Sequence, residues 1–214
     1  MKNFLVKSVL TVAWIWVLIV GIRPVAANVS LVVLGDSLSA GYGMAQSESW
    51  VGVLQQRWQQ SHPDITLINA SISGDTTQGA LNRLAGVLET HQPDYVFVEL
   101  GGNDGLRGFN PATIQANLLE IIDKAQAAGA QVALSQIRIP PNYGPRYNAM
   151  FAELYPATAA QAEIPLLPFF MEQIIVDESL MQNDGIHPNR DAQPLIADIM
   201  EPKLLAWLGR SEEE

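Results

Sequence analysis

The chain has 214 residues, enough for one domain with a sizeable core and short for two. Hydrophobic residues make up 48% and charged residues 16%, which excludes a disordered polymer. With 12 basic against 22 acidic residues the formal net charge is -10, and the basic residues do not cluster, so nucleic acid is excluded as a partner; without cysteine, so are disulfides, a thiolate nucleophile and a cysteine zinc site.

The chain opens with Lys2 and Lys7, then a nearly unbroken apolar run from Val9 to Val20. Gly21 and Pro24 break that run, and Val25-Ala26-Ala27 offers a small-residue cleavage site. This order reads as a secretory signal peptide over residues 1–27, followed by one domain over 28–214. An uncleaved anchor is the alternative, but the run of about 12 residues is below the roughly 20 needed to span a bilayer. No stable membrane span is therefore expected after cleavage.

Val29–Leu34 is a short β-branched apolar run, read as a buried strand that ends at Gly35-Asp36-Ser37. Trp50–Gln60 has helical spacing through Trp50, Val53, Leu54 and Trp58. A second strand, Ile65–Asn69, leads to Ser73-Gly74-Asp75, and Thr77–Glu89 reads as a helix with Leu81, Leu84 and Leu88 on one face. A third strand, Tyr95–Leu100, runs into Gly101-Gly102-Asn103-Asp104. Asn110-Pro111 begins a helix, with Asn as cap and Pro at the first position; it runs to about Ala128, where Gly129 closes it. Gln131–Gln136 is a fourth strand, followed by a Pro- and Gly-rich loop over 137–145. Tyr147–Ala162 reads as a helix that Pro156 should kink or split. Ile164–Leu167 is a weak fifth strand, and Asp191–Leu208 a closing helix before the acidic tail Glu212–Glu214. Continuous apolar strands alternating with helices predict an α/β fold, a parallel sheet covered on both faces.

In such sheets function gathers beyond the carboxyl ends of the strands. Three strands here end in small and polar loops: Gly-Asp-Ser, Ser-Gly-Asp and Gly-Gly-Asn-Asp. Singly each is an ordinary strand-to-helix loop; together they mark one edge. The fourth element is Asp184-Gly185-Ile186-His187-Pro188. His62 and His91 precede strands two and three, at the opposite edge, and read as surface residues. Only His187 sits in a loop that can return to the site. Asp184 can turn back through Gly185 and accept its Nδ1 proton, leaving Nε2 to take a proton from a hydroxyl. Ser37 then reads as a nucleophile that needs such a base. Its own N–H, the unobstructed Gly74 N–H and the Asn103 side-chain amide are candidate donors to an oxyanion.

The four blocks, in this order, resemble those of the SGNH hydrolases, also called the GDSL family of esterases and lipases. Within it the likeness is strongest to bacterial periplasmic acyl-CoA thioesterases that also act on lysophospholipids and aryl esters. It is carried by residues 69–75, 98–109, 165–172 and 184–194 and extends over about residues 29–208. The resemblance implies a flavodoxin-like three-layer αβα sandwich with a five-stranded parallel sheet. It implies catalysis by Ser37, His187 and Asp184 through an acyl-enzyme, and an oxyanion hole from Ser37, Gly74 and Asn103. It further implies a monomer in the periplasm or outside the cell, acting on small acyl esters, acyl-thioesters or lysophospholipids, with no metal and no cofactor.

The residues leave other readings open. An acyl-enzyme could pass its acyl group to water or to another alcohol, so an acyltransferase shares every feature of the hydrolase. Asp36, Asp75, Asp104 and Asp184 fall in loops at one edge and could serve a metal-dependent phosphohydrolase. Gly41-x-Gly43 is the one hint of a nucleotide-binding loop, without the third glycine of that fingerprint. Leu106 and Phe109, beside two glycines, suggest a mobile apolar flap that, with the loop over 137–145, sets acyl chain length.

Overall fold

In the computed structural model, which describes residues 28–210, the five apolar runs pair side by side as parallel strands. They are β1 (Val29–Gly35), β2 (Ile65–Asn69), β3 (Tyr95–Glu99), β4 (Gln131–Ser135) and β5 (Leu166–Leu167), in the order β2-β1-β3-β4-β5. The expected signal peptide and the acidic tail lie outside the described residues. Among the described residues no helix is long and apolar enough to cross a membrane.

Successive strand residues face opposite sides, and both sides are apolar because both are covered. Leu31, Val33 and Phe97 pack with Trp50 and Leu54 of α2 (Trp50–Ser61) and with Ile196 and Met200 of α7 (Ala192–Trp207). Val32, Leu34, Val96 and Val98 pack with Leu84 of α3 (Thr77–His91), Ile114 and Leu118 of α5 (Pro111–Ala127) and Phe151 of α6 (Pro145–Gln161). Each such fully buried side chain contributes roughly 1.5–3 kcal/mol relative to exposure. The result is the expected three-layer αβα sandwich. Its strand order reverses between β1 and β3, which places the ligand crevice at the carboxyl ends of those two strands.

The structure departs from the sequence expectation in three places. Helix α6 runs unbroken through Pro156. Proline removes the N–H that would bond to the carbonyl four residues back, and the Ala152 carbonyl instead accepts Gln136 Nε2 at 3.2 Å. The fifth strand shrinks to two residues, because Pro165 has no N–H to give to the ladder and contributes only its carbonyl, to Leu134 N. Residues proposed as a mobile flap begin with a helical turn, α4 (Gly102–Leu106). That segment is pinned by Tyr143 Oη donating to the Leu106 carbonyl at 2.7 Å and Tyr147 Oη to the Phe109 carbonyl at 2.6 Å.

Candidate active site

The turn after β1 begins at Gly35, where any larger side chain would crowd its neighbours. A Cβ there would lie 2.8 Å from Ser71 Oγ, 2.9 Å from a Glu99 carboxyl oxygen and 3.0 Å from Ser39 Cβ. The chain then turns into the one-turn helix α1 (Ser37–Ala40), with Asp36 as its cap accepting Leu38 N–H at 3.1 Å. Ser37 thus stands at the first helical position, half-exposed above the switch point.

The loop before α7 meets it from across the crevice. His187 Nε2 lies 2.8 Å from Ser37 Oγ, and His187 Nδ1 lies 2.7 Å from Asp184 Oδ2. Gly185, at φ +66°, lets the chain double back so that Asp184 Oδ1 also accepts the backbone N–H groups of Ile186 at 2.9 Å and His187 at 3.0 Å. Burial would raise the Asp184 carboxyl. The hydrogen bonds from the His187 N–H, the His187 ring and the Ile186 N–H outweigh it and hold the group down at about 2. An ionised Asp184 can only accept, so Nδ1 carries a proton and Nε2 faces Ser37 as an acceptor. Three contacts absent from the sequence reading hold this loop in place. Gln182 Nε2 donates to the Tyr42 carbonyl at 2.8 Å and the Pro188 carbonyl at 3.0 Å. The Tyr42 ring stacks on the His187 imidazole with centroids 4.2 Å apart.

Asn103 projects from α4 beside Ser37, and its Nδ2 donates to Asp36 Oδ2 at 3.1 Å. An amide nitrogen carries two hydrogens, so one stays available to a ligand. Asp36 is buried, and burial drives its carboxyl up to about 7 against the Leu38 and Asn103 donors that favour its ion. Gly74 lies in the exposed loop after β2, where a Cβ would meet no atom within 4 Å. Its carbonyl accepts Arg107 Nη2 at 3.3 Å, which ties the loop to the segment after α4. Ser37, Asn103 and His187 line one pocket; Gly74 and Asp184 are not among its lining residues. His62 and His91 are partly exposed at the far edge, and His91 forms the last turn of α3 where the sequence suggested a loop.

Residues 33–193 match the GDSL-like Lipase/Acylhydrolase family. The chain belongs to that family. It is 50% identical over 191 residues to the thioesterase 1/protease 1/lysophospholipase L1 of Escherichia coli K12, covering 89% of this chain and 90% of that protein. It is 47% identical over 182 residues to an arylesterase of Vibrio mimicus, covering 85% and 91%. Among solved structures, the psychrotrophic esterase EstA of Pseudoalteromonas, inhibited by monoethylphosphonate, superposes with a TM-score of 0.82 at 49% identity, covering 85% of this chain and 99% of that one.

Around these groups this GDSL-family chain builds a pocket of about 420 Å³ with mostly apolar walls. Leu106, Ile137, Ile139 and Pro140 form one side, as the sequence suggested; Phe109 is 43% exposed and takes no part. Phe169, Met171 and Ile175 form the other side, from a segment for which residue patterns gave no role. The signal lay in the run Leu166 to Ile175, too long and apolar for a two-residue strand. Arg138 and Glu172, one from each wall, pair at the pocket.

The aspartates that suggested a metal-dependent phosphohydrolase are each committed elsewhere. Asp75 pairs with Arg83 at 2.8 Å, and Asp104 accepts Thr77 N–H at 2.9 Å and Thr77 Oγ1 at 2.7 Å. Asp36 and Asp184 hold Asn103 and His187. Among the described residues no three His, Asp or Glu side chains converge to hold a metal ion.

Proposed function

We propose that the chain cleaves carboxylic esters and thioesters through an acyl-enzyme on Ser37, with His187 as general base and acid and Asp184 orienting it. As a member of the GDSL family it is a hydrolase of ester bonds. The observation that carries it is the continuous relay from Asp184 through His187 to Ser37 Oγ, at 2.7 and 2.8 Å, opening on a mostly apolar pocket.

The cycle follows from those distances. His187 Nε2 accepts the Ser37 proton as Oγ attacks the acyl carbonyl. The oxygen that becomes negative is held by the Ser37 and Gly74 N–H groups and the Asn103 amide. His187 then protonates the leaving alcohol or thiol, and activates the water that frees the acid. Throughout, ionised Asp184 offsets the charge gained by the imidazole. The apolar walls suit an acyl chain, and the names of the relatives suggest acyl-thioesters, lysophospholipids and aryl esters as substrates. The basic, then apolar N-terminus suggests export, to the periplasm or beyond the cell.

The test uses residues 28–214 and the Ser37→Ala variant, assayed on p-nitrophenyl acyl esters and palmitoyl-CoA. Activity on both substrates, lost in a variant whose circular dichroism is unchanged, is the expected result. Equal activity in the variant would remove Ser37 as nucleophile.

A further inference from the structure

Glu99 ends β3, beside Gly35 in the parallel register, and is completely buried. Its Oε2 accepts Ser39 Oγ at 2.7 Å, and its carboxyl also accepts the Asp36 backbone N–H. Those partners stand one residue before and two residues after Ser37. The other oxygen, Oε1, is buried with no hydrogen-bond partner. Every preceding residue of β3 from Val96 on is apolar and buried, so a carboxyl here is costly and no demand of the core explains it.

We propose that Glu99 is a positioning residue for ester hydrolysis: it clasps the Asp36–Ser39 turn from below and so keeps Ser37 Oγ within reach of His187. This inference rests on Ser37 being the nucleophile. The clasp works best uncharged. Burial first, and the neighbouring Asp36 second, raise the Glu99 carboxyl well above its ordinary range. Asp36 has the better donors, Leu38 N–H and Asn103 Nδ2, so of the two it is Asp36 that ionises. The groups facing the pair are Ser39 of α1, Ser71 beyond β2 and Tyr155 of α6, with Asp75 and Asp104 acting on Asp36. None of these is a cation. Ionising Glu99 would put a second negative charge into a dry space and push the turn out of line.

The experiment measures, from neutral to alkaline pH, the rate at which a fluorophosphonate probe labels Ser37, together with kcat and KM on a p-nitrophenyl ester. The proteins are wild type, Glu99→Gln, Glu99→Leu and Ser39→Ala. Wild type is expected to label at Ser37 and to slow on the alkaline side. Glu99→Gln keeps an oxygen for both donors and cannot ionise, so it should label at a rate near wild type without the alkaline fall. Glu99→Leu should label and turn over about 100-fold more slowly with KM little changed, the cost of a displaced nucleophile. Ser39→Ala, with one hold lost, should slow about 5- to 10-fold. Wild-type rates in folded Glu99→Leu would overturn the inference, as would wild-type rates in Ser39→Ala if the leucine variant does not fold. An alkaline fall that persists in Glu99→Gln would overturn it too. Failure of wild type to label at Ser37 would instead overturn the proposed function on which the inference rests.

Discussion

Asp184→Asn isolates the electrostatic half of the proposed relay from its architecture. The amide oxygen can take the place of Oδ1 and keep the N–H groups of Ile186 and His187, so the turn persists. The amide nitrogen then replaces Oδ2, 2.7 Å from His187 Nδ1. Two N–H groups cannot face each other at that distance. The imidazole must move its proton to Nε2, which then points a donor at Ser37 Oγ from 2.8 Å and cannot take its proton. The charge that offsets the imidazolium disappears as well. In a Ser-His-Asp site that pair of losses lowers kcat by about 10⁴, or ~5.4 kcal/mol of transition-state stabilisation. KM should barely move, because no pocket wall is touched. Stability should also change little. A carboxyl held below its unfolded value contributes stability above about pH 4, lost as pH falls through about 2; with 38% of the side chain exposed, that contribution at neutral pH is at most about 1 kcal/mol. The assay is kcat and KM on p-nitrophenyl butyrate beside a thermal melt. A folded Asn variant whose kcat stays within about tenfold of wild type would refute the claim that Asp184 sets the tautomer of His187.

Three further outcomes follow from the same geometry. Asn103→Ala should fold and lose about 10²–10³ in kcat, as expected for one oxyanion donor; near-normal turnover would remove Asn103 from that role. Leu106→Ala should move the preferred acyl chain in a p-nitrophenyl ester series towards longer chains, because Leu106 lines the pocket; an unchanged profile would mean it does not read the chain. Asp36, raised to about 7, binds its proton more tightly folded than unfolded, so its contribution to stability is complete below about pH 4 and is lost as pH rises through about 7. The melting temperature of wild type should therefore fall relative to Asp36→Asn across that window, and a constant difference would refute the shift.

The sheet was legible because each strand is a continuous apolar run and the runs alternate with helices, the pattern of a parallel sheet covered on both faces. The edge was legible because Gly35-Asp36-Ser37 and Gly101-Gly102-Asn103 follow strands whose shared direction sends both to one side, and because Asp184-Gly185-Ile186-His187 is a local turn holding the one histidine not placed at the opposite edge. What escaped depends on partners distant in sequence. Nothing near Pro156 announces that Gln136, 20 residues earlier, will supply the missing donor to Ala152. Two glycines at 105 and 108 suggest a loose flap until Tyr143 and Tyr147 reach across to pin it. The stacking of Tyr42 on His187 and the second pocket wall are likewise products of the crossing order of the strands. Glu99 did leave a trace, a lone carboxyl at the end of Tyr95–Leu100, but its partner Ser39 lies 60 residues away.

Five carboxyls crowd this one edge of the sheet, and their surroundings decide which can serve a base. Asp75 is neutralised by Arg83, and Asp104 is spent joining the first turn of α3 to α4. Asp36 and Glu99 are buried, so their protons are held into the neutral range or beyond. Asp184 is partly open to water and ringed by three donors, which hold its carboxyl down at about 2. Carboxyls pushed in opposite directions within one site mark opposite duties. In the proposed cycle the inner pair holds the turn of Ser37 without carrying two charges beneath it. There the outer Asp184 is the fixed negative charge behind the imidazole, on the side where the transition state places a positive one.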